Sequence, residues 1–158
     1  MKPTVYIETT IPSFYHSIRA TPEMTTVRQW TRDWWDGESF RYSLVTSYAV
    51  LQELEQGEHS HKPEKLAMLS KLPLLTISAP VAEIVEVYIQ RKIMPANTTG
   101  DALHLALASF YNCDYLLTWN CKHIANANKF NHIRRVNQLL HLKTPELVTP
   151  LELTKEIP

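Results

Sequence analysis

Two cysteines, Cys113 and Cys121, are all that the 158 residues carry. That is too few for a disulfide framework and suits a chain whose thiols stay reduced in the cytosol. Net charge is lacking as well: sixteen Lys and Arg offset sixteen Asp and Glu, so the total points to no particular partner. No run approaches the roughly 18 to 20 apolar residues that cross a bilayer. The opening MKPTVYIETT has no apolar region behind a basic one, as a secretory signal would. Repeats, low-complexity tracts and linkers are absent too. These absences leave a soluble cytoplasmic protein with no membrane association. It reads as a single domain over 1–158, able to bury a core without staples.

What is present alternates between strand and helix. VYIE (5–8) reads as a short buried strand. TTVRQWTRDWWDG (25–37) puts Val27, Trp30 and Trp34 at helical spacing, with Gly37 as a stop. The tryptophan stripe reads as packing rather than as a base-stacking surface. RYSLVTS (41–47) is a second strand, and Ser47 an N-cap for the helix YAVLQELEQG. PLLTIS (73–78) is a third strand. PVAEIVEVYIQRKIMP carries Val81, Ile84, Val85 and Tyr88 on one helical face, with Pro95 as its end. GDALHLALASFYN, apolar nearly all round, is a helix buried on most sides, and DYLLTWN (114–120) a fourth strand. NHIRRVN and ELVTPLEL hold a further helix or short edge strands. Such alternation predicts a parallel sheet with helices on both faces. Sheets of this kind bind ligands beyond the carboxyl ends of their strands.

Four polar residues map to that edge. Glu8 ends the first strand. Glu53 shares a helical side with Ala49, Val50 and Leu54 rather than with the polar Gln52, Glu55 and Gln56, so it points inward. Asp101 opens the most apolar helix, where the helix dipole alone favours an acid by about 0.3–1 kcal/mol. Asn120 ends the fourth strand, although asparagine there is also a common turn former. Each has a dull explanation taken singly. Gathered carboxylates, however, repel unless a cation sits among them. Hard oxygen donors without a His or Cys cluster select Mg²⁺ or Mn²⁺ over Zn²⁺. The chemistry that follows is metal-assisted phosphoryl transfer.

VYIETT, SLVTSYAVLQELEQG, GDALHLALA and DYLLTWNCKHIANANK together resemble the ordered motifs of the PIN domain. The last two, with KTPELV, are similar to the VapC-like toxin subfamily; the likeness runs from residue 4 to about 149. It implies a three-layer α/β/α sandwich around a central parallel sheet. It also implies a Mg²⁺- or Mn²⁺-dependent endoribonuclease that uses metal-activated water and leaves a 5′-phosphate and a 3′-hydroxyl. An antitoxin partner and a homodimer belong to the same implication. The family's metal-binding, catalytic positions fall on Glu8, Glu53 and Asp101, with Asn120 where a fourth acid is common. Its small hydroxyl after the first acid falls on Thr9, and its strand-end hydroxyl on Thr118. Two departures stand out. Glu8 replaces the commoner Asp, adding a methylene. Asn120 removes one negative charge, which points to one metal ion rather than two, or to slow turnover. The alternative is a catalytically weak or inactive PIN scaffold that binds RNA or a partner protein. A phospho-receiver module is disfavoured, because PLLTIS offers no acceptor Asp at the end of a middle strand.

The neutral total hides an asymmetry. Between Asp114 and Glu146 there is no acid, while Lys122, Lys129, Arg134, Arg135 and Lys143 make the segment formally +5; with a total of zero, the remainder is −5. A basic segment starting just after Asn120 attracts a polyanion to the same edge. Lys122, Lys129, Arg134 and Arg135 are therefore candidate RNA contacts. His123 reads as structural. His104, one helical turn after Asp101, reads either as a donor orienting that carboxylate or as a buried histidine with a backbone partner. HSH (59–61) reads as a solvated polar loop.

Overall fold

A computed structural model describes residues 1–94 and 99–154. The described elements run β1 (Thr4–Ile7), α1 (Thr10–Tyr15), α2 (Pro22–Gly37), β2 (Ser43–Ser47), α3 (Tyr48–Glu55), α4 (Lys62–Leu69), β3 (Leu74–Leu75), α5 (Ala79–Gln90), α6 (Thr99–Phe110), β4 (Tyr115–Leu117), α7 (Ala127–Leu139), β5 (Glu146–Val148) and α8 (Pro150–Leu153). The five strands form one parallel sheet in the order β3-β2-β1-β4-β5. Early crossovers run from β1 toward the β3 edge, and later ones return past β1 toward β5. With right-handed crossovers the two sets of helices therefore cover opposite faces. The strand order reverses between β1 and β4, which makes the gap beyond their carboxyl ends the natural crevice.

Burial explains why these short segments are strands. Val5, Tyr6 and Ile7 are fully buried at the sheet centre, as are Leu116 and Leu117 beside them. Strands covered on both faces read as unbroken apolar runs rather than alternating ones. Asp114 fastens the amino-terminal side of the sheet. Its Oδ2 accepts the Thr4 N–H at 2.8 Å and its Oδ1 meets Lys143 Nζ at 2.6 Å. The Lys143 bond first, and the Thr4 N–H second, hold the Asp114 carboxyl below its ordinary value. A depressed carboxyl contributes stability above its unfolded pKa of about 3.9 and loses it as pH falls through the lower folded value. Replacing Asp114 with asparagine is therefore expected to destabilise the protein near pH 7 and to matter progressively less below about pH 4. Urea titrations at both pH values check this.

Several boundaries depart from the sequence reading. α1 and α4 were not legible, and the third strand shrinks from 73–78 to Leu74–Leu75. It lies at the sheet edge behind Pro73, whose carbonyl accepts the Thr46 N–H. α5 stops at Gln90, well before Pro95, which lies outside the described residues. Its end is a Schellman turn: Lys92 takes φ +57, and the Ile93 N–H reaches back to the Tyr88 carbonyl while the Ile93 side chain is buried. Ser47 occupies the N-cap position of α3 but makes no capping bond. Its hydroxyl instead meets the Tyr6 hydroxyl at 2.7 Å. Both cysteines are free, and burial above all pushes the Cys113 thiol up to about 12. No helix among the described residues is long and apolar enough to cross a membrane.

Candidate metal centre at the strand ends

Glu8 follows the last residue of β1 and is almost wholly buried. A carboxylate there needs donors, and the two adjoining loops supply them. Its Oε1 accepts the Thr10 N–H at 3.0 Å, the Thr10 hydroxyl at 2.5 Å and the Thr118 hydroxyl at 2.6 Å. Each hydroxyl in turn accepts a backbone N–H just past β4: Trp119 N–H goes to Thr10 Oγ1 and Asn120 N–H to Thr118 Oγ1. One oxygen of Glu8 is thus fully engaged, which fixes the direction of the other.

Glu53 comes from α3 on one side of the sheet and His104 from α6. His104 Nε2 donates to Glu53 Oε1 at 2.5 Å. His104 Nδ1 meets the Tyr6 hydroxyl at 2.7 Å, and that hydroxyl continues to Ser47. His104 is 1% exposed, whereas the Glu53 side chain is 39% exposed, so the histidine steers the carboxylate from behind and its tip faces the crevice. Burial opposes a charge on either group. The mutual bond, the mutual charge and the nearby carboxylates of Glu8 and Asp101 outweigh it for His104, whose pKa is raised. Burial likewise pushes Glu53 up, but the His104 bond and charge leave it lowered. Glu53 is consequently a carboxylate at neutral pH. Burial, above all, keeps the Tyr6 hydroxyl protonated, so it serves the chain of bonds as a neutral group.

Glu8, Glu53 and His104 each bring one donor atom within 4.8 Å of the others. Two carboxylates at this spacing, one of them nearly buried, repel unless a positive charge joins them. The oxygen-rich donor set fits Mg²⁺ or Mn²⁺. Asp101 is half-buried in the first turn of α6 and lies outside this three-residue group, although its charge reaches His104. The same turn lies against Glu53: a Cβ added to Gly100 would stand 3.7 Å from Glu53 Oε1, at ordinary contact distance. Asn120 sits beyond the strand, and its Oδ1 accepts the His123 N–H at 3.0 Å, capping the turn that follows. Thr9 is half-buried, and its hydroxyl is without a hydrogen-bond partner among the described residues.

Helical spacing suggests Asp101 as the partner of His104; the structure gives it Glu53 instead. Thr10, Tyr6 and Ser47 carry no sequence signal of their own, because their contacts run between elements. Of the basic residues, Lys122, Arg134 and Arg135 are exposed, with the Arg134 guanidinium 5.6 Å from the Phe130 ring centre. Lys129 Nζ approaches the Ile93 carbonyl at 3.4 Å.

No family model and no curated protein matches the sequence. Among solved structures, the complex described as VapBC2 from Rickettsia felis bound to a DNA fragment from their promoter contains a chain similar in fold. The TM-score is 0.51 at 17% identity, over 92% of this chain and 98% of that one. At that identity the likeness is one of architecture. It agrees with the expected PIN-like α/β arrangement around a central parallel sheet.

Proposed function

We propose that the chain is a Mg²⁺- or Mn²⁺-dependent endoribonuclease of the PIN type and the toxin of a cytoplasmic toxin–antitoxin pair. One observation carries the reading: Glu8, Glu53 and His104 converge within 4.8 Å at the point where the strand order reverses. Glu8 and Glu53 would hold the ion, with Asp101 and Asn120 beside them. When bound, a divalent ion supplies an activated water and offsets the charge that develops on the phosphorus in an in-line displacement. The chain's own work is orientation. Thr10 and Thr118 fix the Glu8 carboxylate, and His104, backed by Tyr6, fixes that of Glu53. Lys122, Lys129, Arg134 and Arg135 would draw the RNA backbone to this edge.

Support for an antitoxin partner comes from the solved neighbour, a VapBC pair on DNA; a homodimer rests on the family resemblance. The reading is tested by incubating the protein with labelled single-stranded RNA. Cleavage is expected with Mg²⁺ and not with EDTA. Binding in EDTA is expected to weaken when Arg134 and Arg135 both become glutamine, and the slope of log K against log salt to fall by about 1.4, or 0.7 per phosphate contact. An unchanged slope would remove these arginines from the RNA path. A second reading, a scaffold that binds without cutting, is favoured by Asn120, whose carbonyl oxygen is already committed to the His123 N–H. RNA retention without cleavage in either metal would select it.

A further inference from the structure

A second charged site lies at the far end of α1. Ser13, Phe14, His16, Ser17, Arg19, His59, Ser60 and Lys65 border a cavity of about 270 Å³. Lys65 is 8% exposed, and its Nζ donates to His59 Nδ1 at 3.0 Å. The opposite ring nitrogen of His59 donates to the Leu54 carbonyl at 2.8 Å, which fixes the tautomer that accepts from lysine. Among the described residues Lys65 forms no ion pair with a carboxylate. Its stem is packed away while its ammonium reaches the cavity with a ring nitrogen, not a carboxylate, as partner, and burial lowers its pKa.

The surroundings add to that positive field. The His16 and His61 rings stack at 6.0 Å. Burial, then the charges of His61, Arg32 and Lys65, hold His16 below its ordinary value, with Glu64 opposing them. Glu64 itself stands 3.8 Å from His61 Nδ1. Arg28 donates to the Ser17 and Arg19 carbonyls, and Arg32 to that of Tyr15, so both guanidinium groups brace the loop that forms the wall. Lys65, Arg19, imidazole rings and serine hydroxyls share this small cavity with Phe14, Ile18 and Met24, and cations with hydroxyl donors are what a phosphate dianion or diester selects.

Two short paths, one along α1 and one through a hydrogen bond to α3, tie this pocket to the carboxylates. Ser13 lies four residues beyond Thr9, about 6 Å along α1, and donates to the Thr9 carbonyl. His59 is anchored to Leu54, the neighbour of Glu53 on α3. We infer that the Lys65 pocket is a phosphate subsite that grips the RNA backbone at a phosphate flanking the one held over Glu8 and Glu53. The inference rests on the proposed nuclease reading for its substrate, but binding can be measured without cleavage.

The test uses the full chain in EDTA with a fluorescein-labelled single-stranded 12-mer RNA, followed by anisotropy, and inorganic phosphate alone, followed by NMR of the histidine ring protons. Lys65→Met is expected to weaken RNA binding about tenfold and to reduce the salt slope by about 0.7. Lys65→Arg restores the slope. Phosphate is expected to shift the His16 and His59 rings in the wild type and not in Lys65→Met. Methionine keeps the packed stem of Lys65, so the variant's melting temperature should not fall, which separates lost binding from lost fold. An unchanged salt slope in Lys65→Met, or no RNA binding by the wild type, overturns the inference. If phosphate binds yet RNA binding ignores Lys65, the RNA assignment is overturned and a free phosphate or phosphorylated small molecule is the ligand. A chain that cuts no RNA but loses it on Lys65→Met keeps this pocket and forfeits the nuclease reading; normal cutting with an indifferent Lys65 does the reverse.

Discussion

Glu53→Gln is expected to lower Mg²⁺-dependent RNA cleavage more than about 100-fold while leaving the fold intact. Glutamine keeps the Oε1 acceptor for His104 Nε2, so the bond from α6 to α3 survives. What disappears is the negative charge, and a cation held by carboxylates depends on that charge. His104→Ala acts one step back. It frees Glu53 from its support and removes the partner of Tyr6, and losses of such outer contacts cost roughly 10–100-fold in metal affinity or activity. The order of the two losses is the informative part: a supporting residue should cost less than a ligand. Single-turnover cleavage across a Mg²⁺ titration separates affinity from rate. Near-wild-type cleavage by Glu53→Gln would remove this carboxylate from the mechanism.

Leu116→Ala is expected to destabilise the protein by about 2–5 kcal/mol. Leu116 is fully buried in β4, opposite Tyr6 on β1 and Leu147 on β5. The change leaves a cavity on the face of the sheet, beneath the strands whose ends present Glu8 and Thr118. Exposed Leu139, in contrast, should tolerate alanine within about 0.5 kcal/mol. Urea midpoints at constant m-value measure both. Equal effects would mean that the sheet centre is not where the packing energy lies.

The parts of the fold that could be read from sequence are those with a strong local pattern. Val5 to Ile7 and Tyr115 to Leu117 are unbroken apolar runs, and the GDALHLALA helix is apolar nearly all round; all appear close to where they were expected. α1 escaped notice because it is six residues long and contains Pro12, with no periodicity to detect. α4 escaped because it begins directly after the polar HSH stretch, where His61 turns through φ +60. That same stretch is not simply solvated: His59 is tied to Leu54 and Lys65, and His61 stacks on His16. At the candidate centre, Glu8 and Glu53 each carry a positional signal, a strand end and the apolar side of a helix, but Glu53 is 39% exposed rather than turned inward as that side suggests, because it lies at the open edge beyond the strands. The partner of His104 was not legible. Sequence spacing reports neighbours along one helix, and this contact depends on how α6 packs against α3. Thr10 was hidden for a related reason, since its value lies in joining the β1 and β4 loops.

Diffraction from a crystal soaked in Mn²⁺ bears most directly on the central claim. The account predicts an anomalous peak within about 2–2.5 Å of carboxylate oxygens from both Glu8 and Glu53, lost in Glu53→Gln. A soak that leaves no peak there, or one whose manganese settles only among His16, His59 and His61, contradicts it.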